Sequence, residues 1–136
     1  MALDYGERRI GIALSDEDQL ISFPFRTIDT RKTPDVVKEI VGIIKEQDVG
    51  AVIIGNPLTD EGCDSKKSKD IKAFTQMLSH HISVSITLWD ESFTTKQALA
   101  VMNKASKKLK KNRDAVDQLA ASLLLKDYLE SQQVRS

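Results

Sequence analysis

The run Ala51-Val52-Ile53-Ile54-Gly55 constrains the fold more than any other stretch of this chain, because it has the length of a strand and offers no polar face to water. A strand that is apolar on both faces must be covered on both, which is the position of a central parallel strand between two layers of helices. Parallel neighbours in turn need long, helical crossovers. The chain is therefore expected to be an α/β protein, with helices before and after this run.

Those helices are legible on either side. Thr33-Pro34 predicts a cap followed by proline at the first helical position, and Val36, Val37, Ile40, Val41 and Ile44 recur on one face to about Gln47. A second helix is expected from about Ser65, with Ile71, Phe74 and Leu78 turned inward and Lys66, Lys67, Lys69 and Lys72 near its start. Lysines there oppose the helix dipole by roughly a few tenths of a kcal/mol each, a penalty that a bound anion would relieve. Val84 to Trp89 alternates into a strand that ends in Asp90-Glu91, Thr94 and Gln97 open a third helix to about Asn103 as a capping box, and a last helix is expected from about Arg113 to Glu130.

The opening stretch completes the pattern. Leu3 to Asp16 reads as a strand, a tight turn at Gly6 and a second strand, and Ile21 to Ile28 as a third, with Pro24 pushing it to an edge or a bulge. The expected architecture is a mixed five-stranded sheet, three antiparallel strands followed by parallel ones, with helices on both faces, in a single domain spanning 1–136.

Composition narrows the function classes. Lys plus Arg and Asp plus Glu each number 20, so net charge says nothing about a polyanionic partner, but the distribution does: Lys104, Lys107, Lys108, Lys110, Lys111 and Arg113 stand within ten residues that contain no acid. Cys63 is the only cysteine, which excludes an internal disulfide and a thiolate metal cluster. The longest apolar runs fall far short of the ~20 residues that span a bilayer, and the N-terminus lacks the pattern of a secretory signal. No membrane association and a cytoplasmic address are expected.

Three acids ask for an explanation. Asp4 follows an apolar strand start, where an unpaired charge is costly to bury, although an aspartate before a glycine also serves as a turn cap. Asp117 shares a helical stripe with Ala121, Leu124 and Tyr128, beside a face of Val116, Leu119, Ala120 and Leu123, and Asp114 projects from the same side. An acid near a helix start also gains from the dipole. Glu91 leaves the fifth strand. If Asp4, Glu91 and Asp117 converge, like charges require a cation, and a carboxylate set without soft ligands suits Mg²⁺ or Mn²⁺. Paired hard ions in such a site cleave phosphodiesters.

Four motifs in order, Leu-Asp-Tyr-Gly-Glu-Arg-Arg-Ile-Gly-Ile-Ala-Leu-Ser-Asp at 3 to 16, Val-Ile-Ile-Gly-Asn-Pro-Leu at 52 to 58, Asp-Glu-Ser-Phe-Thr-Thr at 90 to 95 and Asp-Gln-Leu-Ala-Ala at 117 to 121, resemble the bacterial YqgF (RuvX) family almost end to end. The resemblance implies a ribonuclease H-like fold. It also implies an acidic metal site of Asp4, Glu91 and Asp117, phosphate contacts from Arg8 and Arg9, and an active-site loop that begins with Asn56, Pro57 and Leu58. The activity it implies is a divalent-metal-dependent nuclease that trims the 5′ end of precursor 16S ribosomal RNA. Ser92 departs from the arginine usual after the Asp-Glu pair, Phe93 from a leucine and Asn56 from an apolar residue, and the first strand has only three residues before Asp4.

Alternatives remain open at this point. A structure-specific endonuclease for branched DNA, resolving Holliday junctions, uses the same chemistry and would need a dimer to cut two strands symmetrically. A non-catalytic RNA-binding assembly factor is favoured by Ser92. Sugar kinases and actin-like ATPases also open with Asp-x-Gly, but close two lobes on nucleotide, and 136 residues suit one. In the leading reading the protein is a monomer or weak homodimer, and Lys104, Lys107, Lys108, Lys110 and Lys111 bind backbone phosphates. With seven aromatics, mostly at expected core positions, recognition is by shape and backbone rather than by base stacking.

Overall fold

The computed structural model describes residues 1–56, 66–90 and 113–135. Its strands are β1 (Ala2–Tyr5), β2 (Arg9–Ser15), β3 (Ser22–Asp29), β4 (Ala51–Asn56) and β5 (Ser85–Asp90), and its helices α1 (Val36–Glu46), α2 (Lys66–Ser79) and α3 (Arg113–Arg135). The expected helix from Thr94 to Asn103 lies outside the described residues.

The strands form one sheet in the order β3-β2-β1-β4-β5. β1 pairs antiparallel with β2 and β2 with β3, while β1 with β4 and β4 with β5 are parallel. The mixed sheet expected from the hydrophobic pattern is thus present, with the two-sided apolar run as β4, inside the sheet. Despite the three residues ahead of Asp4, β1 pairs on both sides, and Ile53 N donates to Met1 O at 2.8 Å. β3 is an edge strand, and its register with β2 shifts between Ile12 and Ala13, which face Arg26 and Pro24. The bulge falls beside the proline, where a missing N–H does least damage.

Alternation along the strands sends side chains to two separate cores. On one face Leu3, Ile10, Ile12, Leu14 and Ile54 pack with Ile40, Ile43 and Ile44 of α1 and Ile71, Phe74 and Leu78 of α2. On the other, Ala2, Ala13 and Ile53 meet Ala121, Leu124, Leu125 and Leu129 of α3. The small residues on this second face let α3 lie low on the sheet.

Two local expectations need correction. α1 is capped by Asp35, whose Oδ1 accepts from Lys38 N at 3.1 Å, not by Thr33 with Pro34 as its first residue. Thr33 N instead donates to Asp29 O at 3.1 Å in the turn that leaves β3, because the chain must first reverse direction there. On α3 the buried stripe runs through Ala120, Ala121, Leu124, Leu125 and Leu129, while Val116, Leu119 and Leu123 are only half-buried. The helix is rotated toward the side bearing Asp117, since the low floor of Ala2 and Ala13 lies under that side.

Candidate active site

Asp4 is the third residue of a four-residue strand and, by alternation, shares the α3 face with Ala2. Its cross-strand partner is Gly11, and Arg9, Gly11 and Ala13 of β2 occupy that same face. Gly11 matters for what it lacks: a Cβ there would collide with the carbonyl of Asp117 and approach the Asp117 Cβ to 3.0 Å. The first turns of α3 therefore rest directly on β2, next to Asp4. Thr27 Oγ1 on β3 donates to Asp114 O at 2.9 Å and fixes the start of the helix, and the Asp114 side chain itself is exposed.

Two of the three expected acids are brought together in this way. Burial pushes the Asp4 carboxyl up to about 6, while the charge of Lys67 on α2 pulls it down and the charge of Asp117 pushes it further up. Among the described residues the Asp4 side chain takes part in no hydrogen bond or ion pair, so the turn-capping role open to it in the sequence is not seen. Asp117 is partnered: Arg9 Nε donates to its Oδ2 at 2.7 Å, with the two side chains 26% and 22% exposed. Arg8 is exposed.

The remaining expected residues divide similarly. Asn56 ends β4, where its Oδ1 accepts from the buried Ser68 Oγ at 3.0 Å and ties the first turn of α2 to the end of the sheet. Lys66 Nζ lies 3.7 Å from Glu7 Oε1, an exposed pair linking that same turn of α2 to the β1–β2 turn. β5 ends at Asp90, level with Asn56. Glu91, Lys104, Lys107, Lys108, Lys110 and Lys111 lie outside the described residues, as do Pro57, Leu58, Ser92 and Phe93.

A hard divalent cation fits what is present. Asp4 is a half-buried carboxylate with no side-chain hydrogen bond or ion pair among the described residues, Asp117 brings a second like charge, and both are oxygen donors. Among the described residues these two acids do not form a group of three possible ligands, and no other such group is found. Sequence reasoning missed the steric role of Gly11, the commitment of Arg9 to Asp117 and the Asn56–Ser68 bond. The alternation Arg9, Gly11, Ala13, small toward one face beside the large Ile10, Ile12 and Leu14 toward the other, was the available sign of the first.

A mixed sheet of this order, with α1 and α2 on one face and α3 on the other, is the ribonuclease H-like fold. Solved structures agree on the fold: "T. thermophilus RuvC in complex with Holliday junction substrate" matches with a TM-score of 0.54 at 15% identity, over 96% of this chain and 93% of that one. A fowlpox virus resolvase bound to Holliday junction DNA matches with a TM-score of 0.55 at 17% identity, over 96% and 95%. The chain belongs to the RuvX family, described as Holliday junction resolvase, which matches residues 1–131. Relatives named "Putative pre-16S rRNA nuclease" include that of Chloroflexus aurantiacus, 35% identical over 96% of this chain and 86% of the relative. That of Roseiflexus sp. is 36% identical over 97% and 94%. Among the described residues no helix is long and apolar enough to cross a membrane.

Proposed function

We propose that this protein is a divalent-metal-dependent nuclease that trims the 5′ end of precursor 16S ribosomal RNA in the cytoplasm, acting as a monomer or weak homodimer. The observation that carries the reading is the half-buried Asp4 carboxylate beside Asp117 on the α3 face, in a chain whose relatives carry the name of an rRNA-processing nuclease. Asp4 and Asp117 would hold Mg²⁺ or Mn²⁺, with Glu91 as the third carboxylate. When bound, such ions activate water and stabilise the leaving oxygen.

The protein's own groups supply binding and orientation. Arg8 is free to meet backbone phosphate from the β1–β2 turn, Asn56 anchors the start of α2 beside the site, and Lys104, Lys107, Lys108, Lys110 and Lys111 provide a sequence-independent grip on the backbone. Binding by such a patch weakens with salt by about 0.7 in log K per log salt for each single-strand phosphate neutralised. A flat response would exclude the lysine segment as the RNA contact.

The deciding experiment compares wild type with Asp4→Asn and Asp117→Asn on precursor 16S RNA and on four-way DNA, each with Mg²⁺ and Mn²⁺. Shortened RNA from wild type alone is the expected result, and equal products from all three proteins would refute it. Junction resolution is the second reading, favoured by the family's description and by the resolvase fold neighbours. Symmetric cutting of four-way DNA with intact precursor RNA would make it the first.

A further inference from the structure

Arg9 stands where two demands meet. Its Nε donates to Asp117 Oδ2 at 2.7 Å, so it neutralises one of the two acids that the metal-dependent reading assigns to a cation. The other acid, Asp4, has no such partner among the described residues. The Arg9 side chain is not sealed in place, since it is 26% exposed and belongs to the first residue of β2, after the exposed Glu7 and Arg8. Gly11 holds the Asp117 backbone and Cβ against β2, so the residue stays beside Asp4 whether or not Arg9 remains on its carboxylate.

We infer that Arg9 is a counter-ion latch: it occupies Asp117 in the cation-free protein and is displaced to a nucleic-acid phosphate when a divalent cation is taken up. The inference rests on the metal-dependent reading above. Two cationic groups competing for one carboxylate are thermodynamically linked. Uptake of the ion frees a fork-shaped donor suited to bidentate phosphate contact, and by reciprocity a phosphate that captures Arg9 raises the affinity for the ion. The protein would then hold the ion weakly until substrate arrives, which protects the site from idle loading.

The latch is tested by titrating the full-length chain with Mn²⁺ in a calorimeter, without RNA. Arg9→Gln is expected to bind Mn²⁺ about tenfold more tightly than wild type, within the range common for coupled sites, and to bind precursor 16S RNA more weakly once the ion has saturated the protein. Arg9→Lys, which keeps the charge, should stay within about threefold of wild type for the ion. Unchanged or weaker Mn²⁺ binding by Arg9→Gln would show that Arg9 only positions Asp117 and would overturn the latch. Should Arg9→Gln fail to fold, the Arg9 Nε–H resonance of isotopically labelled wild type decides. It is expected to lose its hydrogen-bonded shift as Mg²⁺ saturates the protein, and an unmoved resonance at saturation rules the latch out. The metal reading fails separately, if Asp4→Asn binds Mn²⁺ as wild type does.

Discussion

Gly11 and Asp117 touch backbone to backbone across the β2–α3 interface, with no room between them for a single methyl group. Because Gly11 is also the cross-strand partner of Asp4, this one close approach sets how near the two acids stand. Gly11→Ala must push α3 off the sheet, an overpacking cost of about 1–3 kcal/mol. Urea unfolding is expected to show that loss, and RNA cleavage to fall further than the stability loss explains, because Asp117 moves away from Asp4. Full activity in Gly11→Ala would break the link between this contact and the site.

Asp4 also predicts a pH signature. Its ordinary value of 3.8 is raised to about 6 in the fold, so between those values the native state holds more protons than the unfolded chain. Stability accordingly falls as pH rises through this window, by an order of about 3 kcal/mol at 1.36 kcal/mol per unit. Asp4→Asn has no charge to lose. Without metal it is expected to melt above wild type at pH 7.5, the gap closing toward pH 4. Equal melting temperatures at pH 7.5 would mean that the carboxylate is solvated or paired after all.

Leu124 is fully buried between α3 and the sheet, alongside Ala2, Ala13 and Ile53. Leu124→Ala removes the anchor one turn beyond the interface of Ala120 and Ala121. A loss of about 2–5 kcal/mol is expected by urea titration, and a loss under 1 kcal/mol would show that the interface collapses to fill the gap.

The Ser68–Asn56 bond ties the lysine-rich start of α2 to the end of β4. Ser68→Ala leaves the Asn56 amide oxygen without this donor at a part-buried position, worth about 1–3 kcal/mol. Faster amide exchange confined to the first turn of α2 is the expected readout, and uniform exchange across α2 would argue against a local tie.

Much of the fold was legible because its signals are local. The uninterrupted Ala51–Gly55 run appears as an interior strand, the glycine turn separates β1 from β2, and Ile71, Phe74 and Leu78 face the core as their spacing predicts. Where the local signal erred, a longer-range geometric need prevailed: Asp35 rather than Thr33 caps α1, since the chain must turn away from β3 before a helix can begin. On α3 the wheel placed Asp117 on an inward stripe with Ala121 and Leu124, and only the low floor under the helix decided that these, rather than Val116, Leu119 and Leu123, lie deepest.

The amino-acid sequence by itself determined the order of strands and helices and the family to which the chain belongs, since each is written in spacing along one strand or helix or in short motifs. Only the tertiary structure decided that Asp4 lies half-buried with no side-chain hydrogen bond or ion pair among the described residues while Asp117 is held by Arg9. Those facts depend on how close α3 comes to β2, a distance set by the missing side chain of Gly11 more than a hundred residues away in the chain.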